Sequence, residues 1–163
     1  MKYRDARQQI RSGDLLGWSH ERWGSIYDLK VQLVRIVTRS EFCHVGIAHV
    51  SEGRVWVLEA VKPLVRHFPL SKLLPFRWLP MGLSWDVATA EYAFERVGDP
   101  YSEGQASLAF FGRLKIGADR KQECAEYVID VYRQEDVDLG PRAVPSDVIY
   151  AAKRRGAPEY LVE

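Results

Sequence analysis

Residues 44–61 read HVGIAHVSEGRVWVLEAV, two β-rich runs joined by Ser51-Glu52-Gly53-Arg54, and this stretch decides the fold. Valine, isoleucine and tryptophan fill both runs, and a short connection containing glycine is what a hairpin requires. With Val50 paired to Val55, the antiparallel register sets Gly46 opposite Glu59 and His44 opposite Val61. His44 and Glu59 then lie diagonally on one face, Cβ atoms about 7 Å apart or less, within reach of a side-chain hydrogen bond. Gly46 and Ala48 share that face, which is nearly bare and open to close approach by a helix end.

On the N-terminal side, Ser12-Gly13-Asp14-Leu15-Leu16 predicts a turn into a short strand. Ile26, Leu29, Leu33 and Val37 recur at helical spacing and predict a helix from Glu21 to Thr38. On the C-terminal side, residues 62–81 hold Pro63, Pro69, Pro75 and Pro80, which predicts short irregular strands and loops over the surface. Ser84 is the expected N-cap of a helix carrying Val87, Ala90, Phe94 and Val97 on one face, stopped by Gly98 before Asp99-Pro100-Tyr101. A further helix is expected from about Asp119 or Lys121, with Cys124, Tyr127, Val128 and Val131 on one stripe, ending before Gly140-Pro141. Pro145-Ser146-Asp147 opens a last helix through Lys153, capped by Ser146 and closed by Gly156, and Tyr160-Leu161-Val162 forms a final strand. Helices and strands mix without regular alternation, so the class is α+β.

The chain has 163 residues, 47% of them hydrophobic and 28% charged, which fits one compact domain over residues 1–163 with a substantial core. Lys and Arg number 23 against 22 Asp and Glu, so no electrostatic footprint for nucleic acid or an anionic membrane is expected. The opening MKYRDARQQIRSGD lacks the apolar core of a secretory signal, and no later run approaches about 20 uncharged apolar residues. A chain without a transmembrane segment, cytoplasmic or carried in a phage-like particle, is the expectation. The two cysteines, Cys43 and Cys124, are too few for a disulfide framework.

Cys124 is expected in the first turn of its helix, where the dipole and unpaired N–H groups favour a thiolate. Arg120 and Lys121 add to that effect, and Glu123 and Glu126 oppose it. An inert thiol buried with Val128 and Val131 satisfies the same position. A Glu59 carboxylate held against one imidazole nitrogen of His44 would fix its tautomer and free the other nitrogen to take a proton from a thiol. An ordinary hairpin whose His and Glu pair by chance fits those residues equally. His20, His49 and His67 have no partners at metal-ligand spacing, and Cys43 points to the strand face opposite His44, so neither a metal nor a cofactor is expected. Tyr101 is either a surface turn residue or a phenol that donates to a developing oxyanion or lines a site.

In chain order, HVGI at 44–47, LEA at 58–60, GDPY at 98–101, CAEYV at 124–128 and PSD at 145–147 resemble the permuted NlpC-type papain-like cysteine hydrolases, the YiiX-like branch. There the histidine strand precedes the cysteine helix. The resemblance covers nearly the whole chain, with SGDLL at 12–16 similar to the family's opening strand. It implies a circularly permuted papain-like fold, with a small antiparallel sheet packed against the cysteine-bearing helix. It also implies Cys124 as nucleophile, His44 as general base, Glu59 as the orienting residue, Tyr101 as the tyrosine of the loop before the cysteine helix, and the Cys124 backbone N–H as an oxyanion donor. Ala125 stands where relatives often carry serine, and residues 102–122 depart from the usual loop. The activity implied is amide hydrolysis through a thioester, first of all on peptidoglycan stem peptides, with components of a phage tail or similar particle as partners. Two alternatives stand beside it. One is a lipid or acyl substrate as in the lecithin:retinol acyltransferase group, with Leu73, Leu74, Phe76 and Trp78 touching lipid. The other is a non-catalytic structural module of a phage-like assembly.

Overall fold

Short apolar runs, each closed by a turn, build one antiparallel sheet whose strands place the residues singled out above. The structure is a computed structural model and describes residues 1–19, 41–101, 123–140 and 144–163. In chain order the elements are α1 (Tyr3–Ala6), β1 (Leu15–Trp18), β2 (His44–Ser51), β3 (Arg54–Val61), β4 (Leu64–Pro69), a single 3-10 turn (Leu70–Lys72), β5 (Phe76–Leu79), α2 (Val87–Glu95), α3 (Cys124–Arg133), α4 (Pro145–Arg154) and β6 (Tyr160–Val162). The six strands lie in the order β4-β3-β2-β1-β5-β6. The fold is α+β, and among the described residues no helix is long and apolar enough to cross a membrane.

The hairpin forms in the expected register, with Val50 paired to Val55 and the ladder reaching Ile47 and Leu58. Glu52 (φ 50°) and Gly53 (φ 71°) both take the left-handed backbone that a tight turn between twisted strands demands. Alternation then gives the sheet two faces. One carries Leu15, Val45, Ile47, Leu58, Ala60 and Val65 against the helices, through Ala93, Tyr127, Val128, Tyr132, Val148 and Ile149. The other carries Leu16, Ala48, Val57, Phe76 and Trp78, covered by Ala6, Ile10 and Leu70.

Helix α3 is amphipathic and is fastened at two points by buried phenols. Tyr127 Oη donates to the Ala93 carbonyl at 2.9 Å, and Tyr132 Oη donates to the Gly13 carbonyl at 2.6 Å. Buried Asp14 clamps β1 to the β5 side of the sheet by accepting from Arg11 N (2.8 Å), Trp78 Nε1 (2.9 Å) and Met81 N (3.0 Å). Each of these hydrogen bonds satisfies a polar group that burial would otherwise penalise.

Several expectations need correction. Residues 62–81 form two regular strands, because the prolines fall at their boundaries: Pro63 precedes β4, Pro69 ends it, Pro75 precedes β5 and Pro80 follows it. Strand β4 is also a sheet edge, where a missing N–H breaks no ladder. Asp86, not Ser84, caps α2, its carboxylate accepting from Thr89 N at 2.8 Å, while Ser84 Oγ donates to Glu135 Oε2 at 2.6 Å. The buried residues of α2 are Thr89 and Ala93, while Val87 and Val97 are exposed. Helix α4 begins at Pro145 after Val144, and Ser146 lies inside it, its Oγ accepting from Phe42 N at 3.0 Å. The helix expected over residues 21–38 and the loop 102–122 lie outside the described residues.

The bare face also serves a different neighbour. Helix α3 packs on the opposite side, against Val45 and Ile47, while a Cβ on Gly46 would meet Val57 Cγ2 at 2.7 Å, the Leu58 carbonyl at 3.1 Å and Glu59 Cβ at 3.3 Å. Glycine is required there by the next strand. Gly46→Ala is therefore expected to destabilise the fold by about 1–3 kcal/mol, read as a lowered midpoint in thermal or urea unfolding. An unchanged midpoint would show that β3 gives way freely.

Candidate functional site

His44 opens β2, and its side chain is 21% exposed, so the ring sits at the end of a strand with solvent close by. Its Nε2–H donates to Glu59 Oε2 at 2.5 Å. Glu59 is almost fully buried and is held from the other side by Arg66, whose Nε and Nη2 lie 2.8 and 2.6 Å from Oε1. Arg66 stands directly opposite Glu59 in the β3–β4 ladder, with its guanidinium 4.3 Å from the centre of the Phe68 ring. Trp18, the partner of His44 in the β1–β2 ladder, lies against the imidazole with ring centres 5.3 Å apart and donates Nε1–H to the Leu73 carbonyl at 2.7 Å. One ring is thus fixed by a carboxylate, a cation behind it and an indole alongside.

Cys124 is the first residue of α3 and is buried. Its side chain is close enough to His44 to act on the ring's hold on a proton. The carboxylate occupies Nε2. Burial alone would weaken the ring's hold on a proton; the interactions with Cys124 and with the Glu59 carboxylate outweigh it, and His44 is pushed up to about 10. Burial would likewise push Glu59 up, but its contacts with His44 and Arg66 hold the carboxyl below its ordinary range.

Tyr101 comes to the same end of the sheet by backbone pairing. Val65 N donates to the Asp99 carbonyl at 2.8 Å and Tyr101 N to the Pro63 carbonyl at 2.9 Å, so the segment after α2 lies along β4. There Tyr101 is half-buried against the apolar cluster that contains Cys124. Cys43, next to His44 in the chain, points its sulfur at the Trp18 carbonyl, 3.3 Å away. Phe76 and Trp78 are buried, which removes them from the lipid-facing patch expected of residues 73–78; Leu74 is exposed. Sequence reasoning missed Arg66 and Trp18. Arg66 becomes visible only once β4 is recognised as a strand in register with Glu59.

Among the described residues, no group of three or more His, Cys, Asp or Glu side chains is placed to hold a metal ion. Two histidines do meet elsewhere. His49 Nδ1 and His67 Nε2 are 3.1 Å apart on the helix-covered face of the sheet, although nothing in their sequence spacing announces it.

No known protein family matches the sequence, and no curated protein matches it. Among solved structures, the chain is similar to the metalloprotein yiiX from Escherichia coli O157:H7, at 22% identity over 82% of this chain and 71% of that one, with a TM-score of 0.59. The two share a fold.

Glu123 occupies the N-cap position of α3 without capping it, and its Oε1 has no hydrogen-bond partner among the described residues. Burial, reinforced by the charge of Glu126, pushes its carboxyl from the ordinary 4.5 up to about 7. An acid raised in the folded state stabilises the fold below its unfolded value and loses that contribution as pH rises through the folded one. Glu123→Gln should therefore gain stability over the parent between about pH 4.5 and 7, reaching on the order of 2 kcal/mol above pH 7 in urea unfolding. A gap that does not change with pH would place the Glu123 carboxylate in contact with water.

Proposed function

We propose that this chain is a cysteine-dependent amide hydrolase with a circularly permuted papain-like fold. The observation that carries the reading is the line His44–Glu59–Arg66 with Cys124 beside it, in which a thiol at the first position of a helix lies near an imidazole that a buried carboxylate holds. The sulfur lies at the N-terminal end of a helix and close to that imidazole, the placement an attacking thiol needs.

In the proposed reaction the Cys124 sulfur attacks the amide carbon, and the carbonyl oxygen takes the negative charge. At the head of α3 the first N–H groups have no partner within the helix, and that of Cys124 donates to this oxygen. The C–N bond breaks, the leaving nitrogen takes the proton held on His44, and a thioester remains. Water then gives a proton to His44 and adds to the thioester; the C–S bond breaks, releasing the acid and returning the sulfur to its place beside the protonated ring. Glu59 keeps the ring in one orientation and stabilises its charged form, and Arg66 keeps Glu59 ionised. Tyr101 lines the same end of the sheet as a wall of the substrate cleft.

The resemblance to cell-wall-degrading relatives makes a peptidoglycan stem peptide the proposed substrate. A metal belongs to the description of the solved neighbour.

Cys124→Ala should abolish release of products from purified cell-wall peptides, followed by mass spectrometry. Glu59→Gln should lower kcat by about 10²-fold or more, because the ring loses its orienting charge. Activity that survives Cys124→Ala and disappears with Cys43→Ala would move the nucleophile to Cys43.

A further inference from the structure

The β2–β3–β4 ladders bring two histidines together away from the reactive line. His49 pairs with Trp56 and His67 with Leu58, so both project on one face and meet diagonally over β3. His49 lies five residues along β2 from His44, about 16 Å at the usual strand rise, and by alternation on the opposite face.

We propose that His49 and His67 form a two-imidazole chelate for a late transition-metal ion such as Cu²⁺, Ni²⁺ or Zn²⁺. His49 Nδ1 and His67 Nε2 are 3.1 Å apart. Two nitrogens bound to one metal at 2.0–2.1 Å with a tetrahedral angle between them are about 3.3 Å apart, so the pair already has the right bite. In the metal-free pair one nitrogen donates its proton to the other. On binding, that proton moves to the far nitrogen of the donor ring, both facing lone pairs turn to the ion, and no proton leaves the protein.

The rings are also held in place before any ion arrives. His67 stacks on Trp56 with centres 4.8 Å apart, and Phe94 of α2 stands edge-on to His49 at 4.8 Å and to His67 at 5.2 Å. Little rotational freedom remains to be lost on binding. Burial lowers the proton affinity of both imidazoles, which leaves neutral donors near pH 7. Among the described residues no carboxylate is one of the charges acting on either ring. Hard, oxygen-seeking cations are therefore disfavoured, and nitrogen-seeking ions are preferred with Cu²⁺ first. Both rings are only half-buried, so the remaining coordination positions are open to water.

The test is calorimetric titration of CuCl₂ and ZnCl₂ into the full chain carrying Cys43→Ala and Cys124→Ala, which removes thiol ligands. One equivalent of Cu²⁺ should bind, more tightly than Zn²⁺, and His49→Asn or His67→Gln should each raise the Cu²⁺ Kd by about tenfold or more. Trp56 fluorescence gives a second readout for the case in which a histidine variant fails to fold. Cu²⁺ should quench it in the parent, and Trp56→Phe should keep the one-to-one stoichiometry and lose most of the quenching. Absence of Cu²⁺ binding, or titrations unchanged in the folded His49→Asn and His67→Gln variants, would overturn the proposal. So would one-to-one binding with the same quenching in Trp56→Phe.

Discussion

Glu59 carries a negative charge into the interior of a sheet, and a buried carboxylate is tolerable only with cations and hydrogen-bond donors against it. Arg66 supplies one from the neighbouring strand and His44 the other from the strand on the opposite side. The register of three strands is therefore tied to one charge, since a slip by one residue in β2 or β4 would carry its cation to the other face. Gly46 belongs to the same constraint, because only a residue without Cβ lets Glu59 and Val57 pack where they do. Truncating one partner of such a cluster leaves the remaining charge buried and uncompensated, typically a cost of several kcal/mol.

From that charge the rest of the site follows in order. The carboxylate fixes Nε2 of His44, and Trp18 lies against the ring. Helix α3 is itself fastened by Tyr127, one turn after Cys124, against α2 and by Tyr132 against the turn before β1. The position of the sulfur is thus set by apolar packing and two phenols, while its chemical surroundings are set by the sheet. This division accounts for a thiol that is buried in the apolar cluster and still acts on the His44 ring.

Much of this was legible in the chain. The His44–Glu59 diagonal follows from alternation plus one assumption about register, and the glycine-containing turn made that assumption sound. Cys124 at a helix start was legible because Tyr127, Val128 and Val131 mark the stripe below it. The side from which α3 approaches was misread, since a bare strand face looks the same whether it awaits a helix or is filled by the adjacent strand. Strands β4 and β5 were hidden by four prolines, which break a ladder in its interior but are harmless at its ends, and Arg66 was hidden with them. Asp86 and Ser84 both qualify as caps by type; only the packing of Thr89 and Ala93 separates them. The His49–His67 pair depends on two registers at once, one of them in the segment that the prolines obscured.

His44 keeps its proton because Cys124 and the Glu59 carboxylate act on the ring together. Nitrogen-15 NMR of the full chain labelled at histidine, recorded across pH 5 to 11, reads that proton directly. The His44 ring should stay doubly protonated through neutral pH and titrate at about 10, with a clear fall in Cys124→Ala. Titration near 6.5 in both proteins would contradict it, and would mean that the thiol and the imidazole do not act as a pair.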